Sequence, residues 1–282
     1  MANWGNMYYK RTDVRQAITG FANANGSGSF REGAFYNSRA KSIQRYFNEG
    51  EARRPVILNK PEELDHALAL GASAFYSSNW WYQGRDFSRP VGHDLVWAAR
   101  AKQGGLEFAK EATVWVLEAL ADAGVPEPWV KYSGSLGFDL VIPLEMIPCE
   151  AWVGGVDSLA NLQEELTSYV GGYLREQFPN VNVVGVSSPI EIKQGEKTCI
   201  FSEFRARRGL LLAPMSLRPE TGLVSVPVDP RQVGGFSVLD ASPKNVRAFE
   251  WARPSKIAQG LVRYVKSWQS AHAQTIPAVA QQ

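Results

Sequence analysis

Cysteine and histidine are scarce in this sequence, with two of the first and three of the second among 282 residues. Cys149, Cys199, His66, His93 and His272 are spaced too widely for the short ligand intervals of a zinc knuckle, which argues against a local structural zinc site. Each cysteine reads instead as a small buried hydrophobe. Long apolar runs are missing as well: nothing reaches the stretch of about 18 uncharged apolar residues that a membrane-spanning helix needs. Met1 to Lys10 carries Trp, Tyr and Asn where a secretory leader has a continuous apolar segment. These absences predict a cytoplasmic protein with no membrane partner. A large charge excess is also lacking, since the net charge is +2 and the pI near 8.5. That balance neither demands nor excludes a polyanionic partner.

What is present is the composition of an ordinary globular chain, 45% hydrophobic and 21% charged, long enough to bury a sizeable core. The basic residues are clustered: Lys10, Arg11 and Arg15 form one group, Arg39, Lys41, Arg45, Arg53 and Arg54 a second, and Arg205, Arg207 and Arg208 a third. Such clusters suit phosphate contacts, although a solvated surface would look the same. The consecutive aromatics Trp80, Trp81 and Tyr82 offer faces on which bases could stack, with core packing as the alternative.

Periodicity predicts alternating helices and strands. A short helix carries Val14, Ile18 and Phe21, and the breaker run Asn23 to Ser29 follows it as a loop. A second helix opens near Asn59, a possible cap, with Pro61 in its first turn and two acids behind it. Ala72 to Ser78 and Asp94 to Ala99 read as strands, and Gly104-Gly105 leads into a helix with Ala109, Ala112, Val116, Leu117 and Leu120 on one face. Val130 to Leu144 reads as a hairpin around glycines. A long helix spans roughly 158–177, with Leu159, Leu162, Leu166 and Val170 at helical spacing. Short strands are expected near Val181–Val186, Ile190–Ile192, Leu210–Leu212 and Leu223–Pro227. A last helix is expected after Pro254 and a disordered tail from Ala273. The expected class is α+β (mixed α/β), with helices packed on a largely antiparallel sheet. The expected organisation is an N-terminal helix and loop (1–28), one main domain (29–250), a C-terminal helix (251–272) and the tail (273–282).

Three segments, in order, carry a resemblance. Lys131-Tyr-Ser-Gly-Ser-Leu-Gly-Phe-Asp-Leu-Val-Ile-Pro-Leu-Glu145 places glycines and small hydroxyl donors where a backbone can approach and cradle phosphates. Arg208-Gly-Leu-Leu-Leu-Ala-Pro-Met-Ser-Leu-Arg218 brings basic residues and Ser216 into a second stretch. His93-Asp-Leu-Val-Trp-Ala-Ala-Arg100 is a strand end before a helix. Together they resemble the archaeo-eukaryotic primase superfamily, in particular small-subunit primases and the ligase-associated polymerases of bacterial end joining. A weaker match begins at Ser29, so the resemblance spans about residues 29–236. It implies a primase-polymerase catalytic-core-like fold. It also implies nucleotide or phosphate contacts by Lys131, Ser133, Gly134, Ser135, Gly137, Ser216 and Arg218, and nucleic-acid contacts by Arg205, Arg207, Arg208, Trp80, Trp81 and Tyr82.

The departures from that family are chemical. Two-metal nucleotidyl transfer uses a pair of carboxylates two residues apart on one face of a strand, with a third from a neighbouring strand. The family's Asp-x-Asp falls here on Ala98, Ala99 and Arg100, so both ligands are gone and one is replaced by a cation. The hairpin's His is Asp139, and a basic residue of its turn is Leu136. No catalytic residue, metal or other cofactor is therefore expected. Ala98, Arg100 and Asp139 are read as degenerate positions at the edge of one cleft, with an Arg100–Asp139 salt bridge as the natural replacement for a metal. The leading expectation is an inactive nucleic-acid-binding protein, with DNA favoured over RNA, working beside another protein of replication, repair or mobile-element defence. Two alternatives stay open. One is an active primase or polymerase with a rebuilt ligand set of Asp94, Asp139 and Glu203; the other is a purely structural interaction protein. Asp94 is a poor substitute for Ala98, because it would sit ~13 Å away along an extended strand.

Overall fold

The structure is a computed structural model, and it describes residues 5, 7–24, 29–49, 52–125, 127–148, 153–247, 250–251, 265, 267–268 and 270. Its helices are α1 (Thr12–Ala22), α2 (Pro61–Ala69), α3 (Gly105–Asp122) and α4 (Val156–Gln177). The strands are β1 (Asn23–Ala24), β2 (Ser29–Asn37), β3 (Ser42–Gln44), β4 (Tyr46–Glu49), β5 (Ala52–Pro55), β6 (Ala72–Gln83), β7 (Arg89–His93) and β8 (Leu95–Gln103). They continue with β9 (Trp129–Tyr132), β10 (Gly137–Ile142), β11 (Asn182–Val184), β12 (Ile190–Gln194), β13 (Lys197–Glu203), β14 (Leu210–Leu212) and β15 (Pro227–Val228). The class is α+β, as the patterning predicts. One sheet follows the order β1-β2-β6-β14, with β3 on β2 and β7 on β6. The second runs β11-β12-β13-β8-β10-β9-β15, and β4 pairs with β5 in a separate ribbon.

The second sheet sorts its side chains by strand alternation. On β8 and β10, Leu95, Trp97, Ala99, Phe138, Leu140 and Ile142 are all buried and join the main core, against which the apolar residues of α3 and α4 pack. Two polar bonds fix α4 to this face. Gln163 Nε2 donates to the Val96 carbonyl at 2.6 Å, and Trp97 Nε1 donates to Thr167 Oγ1 at 2.8 Å. The alternate residues Val96, Ala98, Arg100 and Asp139 point the other way, towards the first sheet.

The chain passes from the first sheet to the second at Asp94, between β7 and β8. Asp94 is fully buried; its Oδ1 accepts from Trp81 Nε1 at 2.9 Å and from the Leu144 amide at 3.0 Å. Its Oδ2 pairs with Arg31 at 2.6 Å, and that guanidinium lies between the rings of Phe21 and Trp81, 4.4 and 4.6 Å from their centres. A buried charge is tolerated only when it is paired and hydrogen-bonded in this way. Asp94 is thus the pin of the corner between the sheets.

Several elements differ from the sequence reading. The breaker run begins with β1, which folds back on β2 with Asn23 opposite Phe30. Helix α2 is capped at Lys60 without a side-chain bond, so Asn59 is not its cap, although Pro61 does open it. The strand expected over Ala72–Ser78 continues to Gln83, and β13 was not anticipated at all. The helix after Pro254 and the tail from Ala273 fall largely or wholly outside the described residues, as does Cys149. Cys199 is buried, which pushes its thiol up to about 12. No helix of the described residues is long and apolar enough to cross a membrane.

Candidate functional site

A row of paired residues crosses the second sheet: Ser202 on β13, Ala98 on β8, Asp139 on β10, Lys131 on β9 and Pro227 on β15. Antiparallel partners point to the same face, so this row and Arg100, two residues along β8 from Ala98, address a cleft between the sheets. The cleft has a volume of about 220 Å³. Its far wall is Tyr76 and Leu210–Leu212 of the first sheet, and Ser133, Arg218 and Glu220 close one end. Ala98, Arg100 and Asp139, distant in sequence, therefore share one cavity.

Asp139 is the electrostatic centre. Lys131 Nζ pairs with its Oδ2 and Arg100 Nη2 with its Oδ1. Lys131 is completely buried and also donates to Ser225 Oγ at 3.2 Å. Burial by itself would push the Asp139 carboxyl up, but the charges of Arg100 and Lys131 and the hydrogen bonds they donate outweigh it and hold the pKa at about 2. Two cations share one carboxylate, so the triad keeps a positive excess. Burial accordingly pulls the Lys131 ammonium below its ordinary value, against the opposing pull of Asp139.

The donor set does not fit a pair of divalent cations. Ala98 offers no oxygen, Arg100 brings a positive charge, and each oxygen of Asp139 is already held by a cation. The set Asp94, Asp139 and Glu203 does not converge either. Asp94 is used at the corner between the sheets. Glu203 pairs across with Trp97, so it faces the helices, where it accepts from Thr167 and pairs with Arg205. The residue on the cleft face of β13 opposite Ala98 is Ser202, which the sequence reading did not single out. Among the described residues no three His, Cys, Asp or Glu side chains are grouped as metal ligands.

The glycine turn joins β9 to β10. Gly134 adopts φ +78, and a Cβ there would meet Arg218 Cβ at 2.9 Å, so only glycine lets Arg218 lie against the turn. Arg218 Nη1 donates to the Ser133 carbonyl at 3.1 Å, and Thr221 Oγ1 donates to the Gly134 carbonyl at 2.7 Å. A Cβ on Gly137 would run into the Ala99 carbonyl, so this glycine sets the close approach of β10 to β8. Ser133 is buried beside the cleft, and its hydroxyl has no hydrogen-bond partner. Ser135 is half-buried and Leu136 exposed at the tip of the turn.

Other expected site residues lie elsewhere. Ser216 is fully buried; its hydroxyl accepts from the Phe75 amide at 2.7 Å and lies 3.4 Å from the Tyr9 hydroxyl, so it braces the fold and cannot reach a phosphate. Lys131 is likewise committed to Asp139. Trp80, Trp81 and Tyr82 are all buried, so none presents a face for base stacking. Trp80 packs on His93 at 4.7 Å, Trp81 on Arg31, and Tyr82 on Phe87 at 5.3 Å. Arg205, Arg207 and Arg208 sit in the loop between Phe204 and Leu210, which both line the cleft, so this loop forms its rim. Arg205 pairs with Glu203 and Glu164, and Arg208 with Glu32, while Arg207 is exposed.

No family model matches the sequence, and no curated protein sequence matches it. Among solved structures, the chain is similar to the polymerase domain from Mycobacterium tuberculosis Ligase D in complex with DNA. The match covers 95% of this chain and 87% of that one, at 16% identity and a TM-score of 0.51. The fold is therefore that of a ligase-associated polymerase domain, the architecture implied by the resemblance.

Proposed function

We propose that this protein binds nucleic acid, DNA in preference to RNA, on a primase-polymerase framework that no longer polymerises, and that it serves as a subunit or partner in DNA replication, repair or mobile-element defence. The observation that carries the proposal is the Arg100–Asp139–Lys131 triad. A polymerase cleft needs carboxylates free to hold two metal ions, and here the carboxylate in the Ala98 row is neutralised by two fixed cations. A guanidinium in the cleft repels a divalent cation and attracts a phosphate. The same change that removes metal chemistry thus favours an anion.

DNA is favoured because the structurally similar Ligase D domain is described in complex with DNA. Phosphate contacts are assigned to Arg218 and Ser133, which line the cleft, to Gly134 and Ser135 of the same turn, and to Arg207 on the rim. The buried and unpartnered Ser133 hydroxyl supports the first assignment, because such a group is costly unless a ligand or water completes it. Trp80, Trp81, Tyr82 and Ser216 have no part in it.

The test is the salt dependence of affinity for single-stranded DNA, duplex DNA and RNA of equal length. Phosphate contacts give a linear fall of log affinity with log salt, about −0.7 per contact on single strands and −0.9 on duplex. A negative slope with preference for DNA is expected. Affinity absent at low ionic strength for all three refutes nucleic-acid binding.

A further inference from the structure

Outside the cleft, a second group of charges surrounds Glu32 on β2. This carboxylate is 1% exposed, yet it pairs with both Arg45, at 3.0 Å, and Arg208 of the rim loop. Arg45 also donates to the Arg208 carbonyl at 2.8 Å, which ties the strand region to the loop. Arg208 Nη2 donates to the Tyr46 hydroxyl at 3.3 Å, and the guanidinium of Arg53 lies over the Tyr46 ring at 4.2 Å. Arg207 is exposed and immediately precedes Arg208 in the rim loop, so its Cα lies one residue from the Arg208 that Glu32 holds.

Two features mark this group as built. Arg208 adopts φ +62, a conformation that a non-glycine residue holds only when its surroundings enforce it, and Gly209 closes the turn by donating to the Ala206 carbonyl at 2.6 Å. Glu32 acts from the interior, so it holds two guanidiniums in place without occupying the surface they present. Arg54 is engaged by Glu63 at 2.8 Å, so Arg53 faces outward and Arg54 does not share its role. Glu32 pairs with two guanidiniums, while Arg53 on the Tyr46 ring and Arg207 next to Arg208 make no ion pair among the described residues, which leaves a positive excess on an exposed surface.

We infer that Arg45, Arg53, Arg207 and Arg208, preorganised by Glu32 and Tyr46, form a phosphate-binding platform that carries a nucleic-acid strand outward from the rim of the cleft. This rests on the nucleic-acid reading above and extends it, because a cleft of about 220 Å³ holds no more than a fragment of a strand. Guanidiniums already oriented by a carboxylate lose little freedom on meeting a phosphate, and fixed planar donors suit phosphate oxygens. The partner is the phosphodiester backbone, so binding is independent of sequence.

Arg53→Gln with Arg207→Gln tests the platform, since both side chains are exposed and neither supports the fold through an ion pair among the described residues. Affinity for a 20-nucleotide single strand, the same strand in duplex and its RNA counterpart is measured from 50 to 200 mM salt, for the wild type, this double variant and Arg218→Ala. The double variant should lose roughly 1.4 units of salt slope on the single strand, so that its affinity falls about sevenfold less over that range. Arg218→Ala should cost a further, separate contact. If the wild type binds and the double variant keeps its slope and affinity, the platform is wrong and the cleft reading stands. If polyglutamate competes as well as the oligonucleotide at equal charge, the platform is not a nucleic-acid site. A wild type that binds none of the three overturns both.

Discussion

Asp139→Asn keeps the shape of the side chain and removes its charge, leaving Lys131 fully buried and Arg100 partly buried without their shared carboxylate. Removing one partner of a buried ion pair typically costs about 3–5 kcal/mol, because the other charge is left uncompensated. At about 2–4 °C per kcal/mol for a large domain, the melting temperature should fall by on the order of 10 °C at neutral pH. Lys131→Met alone should cost less, since Arg100 still holds Asp139. Combining Lys131→Met with Asp139→Asn should recover most of the loss, because no buried unpaired ammonium remains. The sign of the pH dependence follows from the depressed carboxyl. Its folded pKa of about 2 lies below the ordinary 3.8, so its contribution is complete above about pH 5 and is lost progressively as pH falls through 3.8 and then through about 2. The difference amounts to about 2 kcal/mol, less than the truncation penalty because titration does not count the stranded lysine. Urea unfolding of the four proteins between pH 2 and pH 7 measures both effects. An Asp139→Asn protein within 1 kcal/mol of the wild type at pH 7, or one that keeps the wild-type acid transition, would refute the triad.

Asp94→Asn should destabilise by a similar 3–5 kcal/mol, since it strands Arg31 between two rings; a melting curve unchanged from wild type contradicts the corner pin. Gly137→Ala should unfold the protein or lower its melting temperature severely, as the added carbon meets the Ala99 carbonyl, and circular dichroism checks this. Tyr82→Leu removes the ring and should lower the melting temperature, yet leave the DNA affinity of the folded protein unchanged, because the ring is buried; a tenfold loss of affinity in a folded variant would restore base stacking. Ala98→Asp with Arg100→Asp should give no primer extension in manganese, since Lys131 still occupies Asp139, and any templated product contradicts that.

Elements with a single strong period were legible in the sequence. Helix α3 shows its apolar face at Ala109, Ala112 and Val116, and the β9–β10 hairpin is announced by its glycines. Strand β13 was hidden because its apolar core, Cys199 to Phe201, follows β12 across a short turn and carries no pattern of its own. Without it, the facing pair Ser202 and Ala98 could not be seen. The Lys131–Asp139 pair was within reach, since a hairpin with Tyr132 opposite Phe138 necessarily sets 131 opposite 139. The core packing of Trp80 to Tyr82, open beside base stacking on the sequence, is settled only by the fold, because a strand buried on both faces looks in sequence like an exposed aromatic group. Nor could the charge clusters be sorted. Arg205 and Arg208 meet carboxylates from α4, β13 and β2 that only the fold brings near.

The most direct test follows one labelled primer–template in a single tube, at a protein concentration that saturates binding, with all four deoxynucleotides and manganese. A shifted complex with no extended primer is the result expected of a cleft whose carboxylate is held by Arg100 and Lys131. Templated extension by the unmodified protein would contradict it.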